Sequence, residues 1–276
     1  MSGRFSFDQS VLLSDNKETH CKITTCIDDF SKVVCVCKTY DMEALRAKKQ
    51  YKNVDGRMIS VSAAANVIDQ VAILSGISHT NIVPLVYSEE SVNRISLYFP
   101  FYATCLMSPH ADLTYTTTIT NLREPSNLAN LASQISAALS YLHGLTICHR
   151  DVKPDNILVS HGGVFLLSDF GSARKYRGNT SESPATLAFF PPEVCVDDYS
   201  EHDPQKADLW ALGLSVLCAF CEKLPYDISD STDTFALMSA IEHVQFSIPL
   251  KQLPREVRAI VQVLLSKDAT DRRYIV

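Results

Sequence analysis

The chain has 276 residues, 46% of them apolar, and 25 basic side chains against 31 acidic ones leave a formal net charge of −6. That length and apolar share support a full core and exclude intrinsic disorder as the main state, while the acidic balance argues against a dedicated binder of nucleic acid or anionic membrane. Nine residues are glycine, roughly ten fewer than a usual share of about 7% provides. The nine cysteines are an odd number and sit in apolar runs such as Cys35/Cys37 and Cys218/Cys221. They read as buried small hydrophobes in a reducing compartment, not as a disulfide framework or a zinc site. Met1 to Asp8 carries neither an apolar nor an Arg-rich targeting pattern, and the longest apolar run, Leu209 to Cys221, spans 13 residues, a core helix too short to cross a membrane. A cytoplasmic location is expected, with access to the nucleus left open.

The first hundred residues read mostly as strand. Cys21 to Ile27 and Val33 to Thr39 are β-rich runs around the turn residues Asp28 to Lys32, a hairpin. Tyr40 to Ile59, with Arg46, Lys48, Lys49, Lys52 and Arg57, reads as a solvated basic insert. Across residues 60–77 the period changes: Val61, Ala64, Ile68, Val71, Ala72 and Leu74 predict an amphipathic helix, and Ile82 to Tyr87 and Ile95 to Phe101 two further strands. After a polar Thr114 to Thr120 loop, Leu128, Leu131, Ile135, Leu139 and Leu142 predict a helix behind Pro125 and a capping Ser126, ended by Gly144. Gly162-Gly163 joins Ile157 to Val159 and Val164 to Leu167 in a hairpin. A buried helix around Trp210, another over Phe235 to Val244, and a last one opened by Pro254 complete the order, without internal repeats.

The chemistry concentrates in His149-Arg150-Asp151-Val152-Lys153-Pro154-Asp155-Asn156, followed 13 residues later by Asp169-Phe170-Gly171. Phosphoryl transfer needs a carboxylate to orient a hydroxyl, oxygen ligands for a hard cation, and positive charge on the moving phosphate. Asp151 suits the first role, Asn156 and Asp169 the second as Mg²⁺ ligands, and Lys153 the third.

At these residues the chain resembles the eukaryotic protein kinase family. The resemblance implies an α+β, two-lobed protein kinase-like fold over residues 1–276: a small antiparallel β lobe with one helix, 1–103, binding ATP, and a larger, mainly helical lobe, 104–276, holding catalysis and substrate. Pro191-Pro192-Glu193 resembles the element closing the family's activation segment, Thr186 the threonine before it, and Asp208 to Gly213 the helix anchoring the catalytic loop; Arg272 falls where the family pairs an arginine with that glutamate. The resemblance further assigns ATP binding to Lys38, Val36, Asn156 and Asp169, with Phe101 at the back of the adenine pocket and Tyr102 and Ala103 at the hinge. Val-Lys-Pro after His-Arg-Asp is similar to serine/threonine kinases, which implies Ser or Thr hydroxyls of protein substrates. The basic insert, Val71 to Leu74 and Ala188 to Glu193 look most like calcium/calmodulin-dependent protein kinase kinases, which phosphorylate activation loops of other kinases. No basic amphipathic helix for calmodulin follows Arg272, and the family's usual final helix is expected to be missing. Arg150 is positioned to bind a phosphate placed on Thr180, Ser181 or Ser183.

Two features depart from the family. Gln70 stands where a glutamate partners the strand lysine, and it can hydrogen-bond Lys38 without balancing its charge, while Asp69 lies about 100° round the helix. The segment Ser14 to Lys22, where a glycine-rich phosphate loop belongs, contains no glycine. An active kinase and a pseudokinase scaffold are therefore both open readings; a small-molecule phosphotransferase is a third, disfavoured by the long activation segment.

Overall fold

The β-branched and cysteine-rich runs Cys21–Asp28 and Val34–Asp41 form strands that pair antiparallel from Cys21 opposite Tyr40 to Ile27 opposite Val34. The computed structural model describes residues 4–7, 10–54, 57–180, 182, 184–195, 201–226, 232–244 and 247–276, without the side chains of 51–54, 57–59 and 247–249. The chain divides into two units, 1–78 with 83–102, and 79–82 with 103–276.

The first unit is a six-stranded antiparallel sheet. With β1 (Phe5–Ser6), β2 (Leu12–Asn16), β3 (Cys21–Asp28), β4 (Val34–Asp41), β7 (Tyr87–Ser91) and β8 (Arg94–Pro100), the order is β1-β3-β4-β8-β7, and β2 also pairs with β3. One face buries Cys26, Cys35, Cys37 and Tyr98, with Phe5 stacked on Tyr98 at 3.8 Å between ring centroids. These cysteines thus serve as small hydrophobes, and burial pushes the Cys26 thiol up to about 12.

The basic insert is folded, which charge counting does not reveal. Asp41 accepts the amides of Glu43 and Ala44 at 3.0 Å each and starts α1 (Met42–Ala47), whose Met42 and Leu45 are buried. The strands β5 (Lys49–Val54) and β6 (Arg57–Ser62) then pair, so α2 begins only at Ala64 and runs to Ser75. The small unit therefore has two helices where one was expected. Nor is Ile82 to Tyr87 a strand: Pro84 offers no N–H, Ile82 forms a lone parallel bridge to Leu167, and the strand starts at Tyr87.

The second unit is built on helices α3 (Pro125–Gly144), α4 (Pro192–Cys195), α5 (Pro204–Cys221), α6 (Thr234–Glu242), α7 (Ser247–Gln252) and α8 (Arg255–Leu264). In α3 the five predicted leucine and isoleucine positions are all fully buried, each contributing about 2 kcal/mol by removal from water. Pro125 occupies the first turn after Glu124, so Ser126 lies inside the helix and does not cap it. The hairpin Ile157–Val159 with Phe165–Leu167 turns at Gly163, whose φ of 75° explains the glycine. Gly213 serves a close approach instead: a Cβ there would lie 2.8 Å from Leu264 Cβ and from Leu265 Cδ2, so α5 and α8 meet only because it has none.

One charge is sealed inside this packing. The Arg272 guanidinium is fully buried, lies 4.8 Å over the Trp210 ring, and forms a bidentate pair with Glu193 at 2.5 and 2.8 Å. Replacing Glu193 by alanine strands that cation, so Glu193→Ala should lower unfolding stability by about 3 kcal/mol. A urea titration checks it, and an unchanged midpoint would refute the account.

Candidate active site

The catalytic loop is held by one buried carboxylate. Asp208, in the first turns of α5 and 1% exposed, accepts the amide of His149 at 2.8 Å through Oδ2 and the amide of Arg150 at 2.7 Å through Oδ1. His143 Nε2 adds a third bond to Oδ2 at 2.9 Å, while its Nδ1 meets the Tyr274 hydroxyl at 2.8 Å. Burial pushes the Asp208 carboxyl up, but the His143 hydrogen bond, the fields of His143 and His149 and the Arg150 amide outweigh it and hold it below the usual carboxylate range. Cys148 also has its sulfur within 4.8 Å of these donor atoms. With its oxygens already engaged by amides and imidazole, Asp208 reads as a hydrogen-bonded anchor.

This anchoring permits an unusual backbone. Arg150 has φ of 68° and Asp169 of 59°, both in the left-handed region that side chains disfavour. His149 bridges the two segments: Nδ1 accepts the Asp151 amide at 3.3 Å, so Nε2 carries the proton and donates to Ser168 O at 2.9 Å. Its ring meets buried Phe170 edge-on at 4.9 Å.

Around Asp151 the predicted residues come together. Asn156 Nδ2 donates to Asp151 O at 2.8 Å and to Oδ2 at 2.9 Å. Lys153 Nζ lies 3.1 Å from Asp151 Oδ2 and 3.6 Å from Asp155 Oδ2. Burial lowers the Lys153 pKa, but Asp151 and Asp155 outweigh it and raise the net value, so the ammonium stays charged; Asp169 contributes to the same field. The Thr186 hydroxyl donates to Asp151 Oδ1 at 2.5 Å and accepts from Lys153 Nζ at 3.1 Å. Because Asn156 spends its NH₂ on Asp151, its side-chain oxygen is the atom left for a cation. The Asn156 backbone oxygen takes both the amide and hydroxyl of Ser168, at 2.8 Å each, which ties it to the residue before Asp169. An amide oxygen and a carboxylate are the hard donors that a small divalent cation takes, so the residues fit one.

In the first unit, Val36 and Lys38 lie on the same face of β4, opposite Phe99 and Leu97 of β8 respectively. Phe99 thus shares the face of the two predicted nucleotide residues and was not singled out from the sequence. Phe101, 39% exposed, follows the strand, and Tyr102 and Ala103 stand at the division between units. Gln70 is 1% exposed and accepts the Tyr40 hydroxyl at 3.1 Å, whereas Asp69 is exposed. The glycine-free turn has its own device: Asn16 Oδ1 accepts the amides of Glu18 and Thr19 at 2.9 and 3.0 Å. These are backbone N–H groups of the kind that a glycine-rich loop offers to phosphate. Of the three hydroxyls on which a phosphate could meet Arg150, Ser181 and Ser183 lie outside the described residues, and Thr180 Oγ1 accepts the Glu182 amide at 3.0 Å.

A loop that holds a hydroxyl on a carboxylate beside a lysine, on this α+β frame, defines a phosphotransferase domain of the protein kinase class. The chain belongs to the protein kinase domain family, which matches residues 28–275. It is 27% identical over 255 residues, 88% of this chain and 60% of the relative, to the serine/threonine-protein kinase GRIK1 of Arabidopsis thaliana. It is 34% identical over 145 residues, 51% of this chain and 34% of the relative, to a probable serine/threonine-protein kinase CHK1 homolog of Encephalitozoon cuniculi. Over 93 residues, 32% of this chain and 18% of the relative, it is 37% identical to the calcium/calmodulin-dependent protein kinase kinase cmkC of Emericella nidulans. The matches thus span between 18% and 60% of these curated relatives' lengths.

The depressed Asp208 pKa has a direct consequence. Its ionised form contributes stability that is fully present above the unfolded value of about 4 and is lost as pH falls through the lower folded value. Asp208→Asn should therefore be less stable at pH 7 and lose less on acidification between about pH 4 and 2. Parallel acid-unfolding curves for the two proteins would contradict this.

Proposed function

We propose that the chain is a protein serine/threonine kinase that transfers the γ-phosphoryl group of ATP, with Mg²⁺, to Ser or Thr hydroxyls of protein substrates. The observation that carries it is the Thr186 hydroxyl on Asp151 Oδ1 with Lys153 beside it. A threonine of the chain itself occupies the relation to Asp151 that an accepting hydroxyl requires. In the reaction, Asp151 orients the substrate hydroxyl and takes its proton as oxygen bonds to phosphorus and ADP departs. Lys153 neutralises charge on the transferring group, and Asn156 keeps the Asp151 carboxylate aimed through its two Nδ2 bonds. When bound, Mg²⁺ held by Asn156 and Asp169 supplies charge neutralisation on the phosphate oxygens.

As to substrate, the proposal extends to the activation loop of another kinase, supported by the likeness to a protein kinase kinase over 93 residues. It includes a cytoplasmic location, in keeping with the use of Cys26, Cys35 and Cys37 as buried thiols. Among the described residues no helix is long and apolar enough to cross a membrane.

A second reading, a pseudokinase scaffold, is favoured by one observation: Asn16 already holds two of the turn amides. Phosphate-transfer assays with Mg·ATP and protein substrates separate the two. Asp151→Asn should lower kcat by about 10²- to 10⁴-fold, the worth of a positioned general base. Wild-type transfer no faster than that variant would sink the kinase reading. Asn16→Gly frees the amides and should lower the KM for ATP roughly five-fold, equivalent to about 1 kcal/mol for a recovered hydrogen bond. An unchanged KM would show that the turn amides play no part in nucleotide binding.

A further inference from the structure

Arg150 is committed twice by its backbone. Its amide is on Asp208, and its carbonyl accepts the amide of Ala185 at 2.9 Å. Its side chain is only 12% exposed, and a guanidinium so placed needs an anion close by. Glu182 supplies one, with Oε2 at 3.1 Å from Arg150 Nη1. The same oxygen accepts the Tyr176 hydroxyl at 3.0 Å, and the Tyr176 ring lies 5.6 Å from the guanidinium carbon. Burial pushes the Tyr176 hydroxyl up, so it remains a donor to Glu182. The Glu182 amide bonds Thr180 Oγ1, and Thr180 exchanges both of its backbone hydrogen bonds with His202 at 2.9 Å. Tyr176, Glu182 and Ala185 thus each meet Arg150, and Thr186, next after Ala185, sits on Asp151.

We infer that Glu182 is a positioning residue: its carboxylate ties Tyr176 and the Glu182 backbone to Arg150, so that the seating of Thr186 against Asp151 needs no phosphate on Thr180, Ser181 or Ser183. The inference rests on the kinase reading for its effect on rate and on geometry alone for its effect on the segment. The seat a phosphate would take beside Arg150 is filled by a charge encoded in the sequence. A fully exposed pair would be worth little. Here Glu182 is itself 30% exposed and bonded by Tyr176, and its loss leaves a mostly buried cation behind.

The test compares wild type, Glu182→Gln, Glu182→Asp and the double variant Ser181→Ala/Ser183→Ala, all phosphatase-treated and checked for mass. Wild type and the double variant should keep equal rates after dephosphorylation. Glu182→Gln should lose roughly ten- to a hundred-fold in kcat, as for one charge-assisted hydrogen bond, with the KM for ATP nearly unchanged, and Glu182→Asp should recover most of the loss. Hydrogen exchange should quicken at the amides of 180–186 in Glu182→Gln but not in α5, which excludes general unfolding. Wild-type activity that vanishes on dephosphorylation, or a Glu182→Gln protein with wild-type kcat and exchange, would overturn the inference. If wild type transfers no phosphate at all, the kinase reading fails, and the exchange difference between wild type and Glu182→Gln still decides the role of Glu182.

Discussion

The site depends on a carboxylate buried where a carboxylate is costly. Asp208 lies in α5, a helix apolar on nearly every side, and carrying an ion into such surroundings costs several kcal/mol unless its lone pairs are met. They are met by the amides of His149 and Arg150 and by the His143 imidazole. Anchoring two successive amides on one group fixes the peptide planes on either side of His149, and the next plane is held by the Arg150 carbonyl on the Ala185 amide and by the Asp151 amide on His149 Nδ1, so that Arg150 keeps its left-handed conformation. From there Asp151 follows by covalent geometry. The Asp151 carboxylate is thus aimed by the interior of the helical unit.

The rest of the loop repeats this logic with weaker groups. His149 connects the Asp151 amide to Ser168, Asn156 connects Asp151 to the backbone before Asp169, and Thr186 and Lys153 close the ring around the carboxylate. Networks of this kind are rigid only when every member is satisfied. The acids and bases of the site therefore form one unit, and substitutions among Asp151, Asn156, Lys153 and Thr186 are expected to couple and not to add.

Much of this was legible in the sequence because it is local. His149 to Asn156 stand within one short loop, the α3 leucines repeat at helical spacing, and Arg272 and Glu193 sit at recognisable points of a known pattern. What escaped depends on contacts that composition hides. The insert looked solvated because its lysines and arginines dominate the count, yet Met42 and Leu45, only two residues, suffice to bury α1 behind an Asp41 cap. Glu182 is one acid in a polar loop until folding sets it beside Arg150, 32 positions earlier. Asn16 is the opposite case: its side chain satisfies the amides two and three residues on, a local signal carried by asparagine before a turn and independent of any glycine pattern.

These two residues act on different parts of the energetics. On the proposed reading the turn that Asn16 caps bears on how tightly nucleotide phosphates are held, and a contact made equally in ground and transition states alters KM and leaves kcat alone. On the same reading the groups around Asp151, with Glu182 behind them, bear on the step in which the hydroxyl is deprotonated, and so on kcat. A chain that keeps the second set complete while altering the first is physically coherent: on the kinase reading it would combine an ordinary chemical step with a weakened hold on ATP. The missing glycines on their own argue for a lost grip on nucleotide, and nothing in that loss requires the loss of transfer.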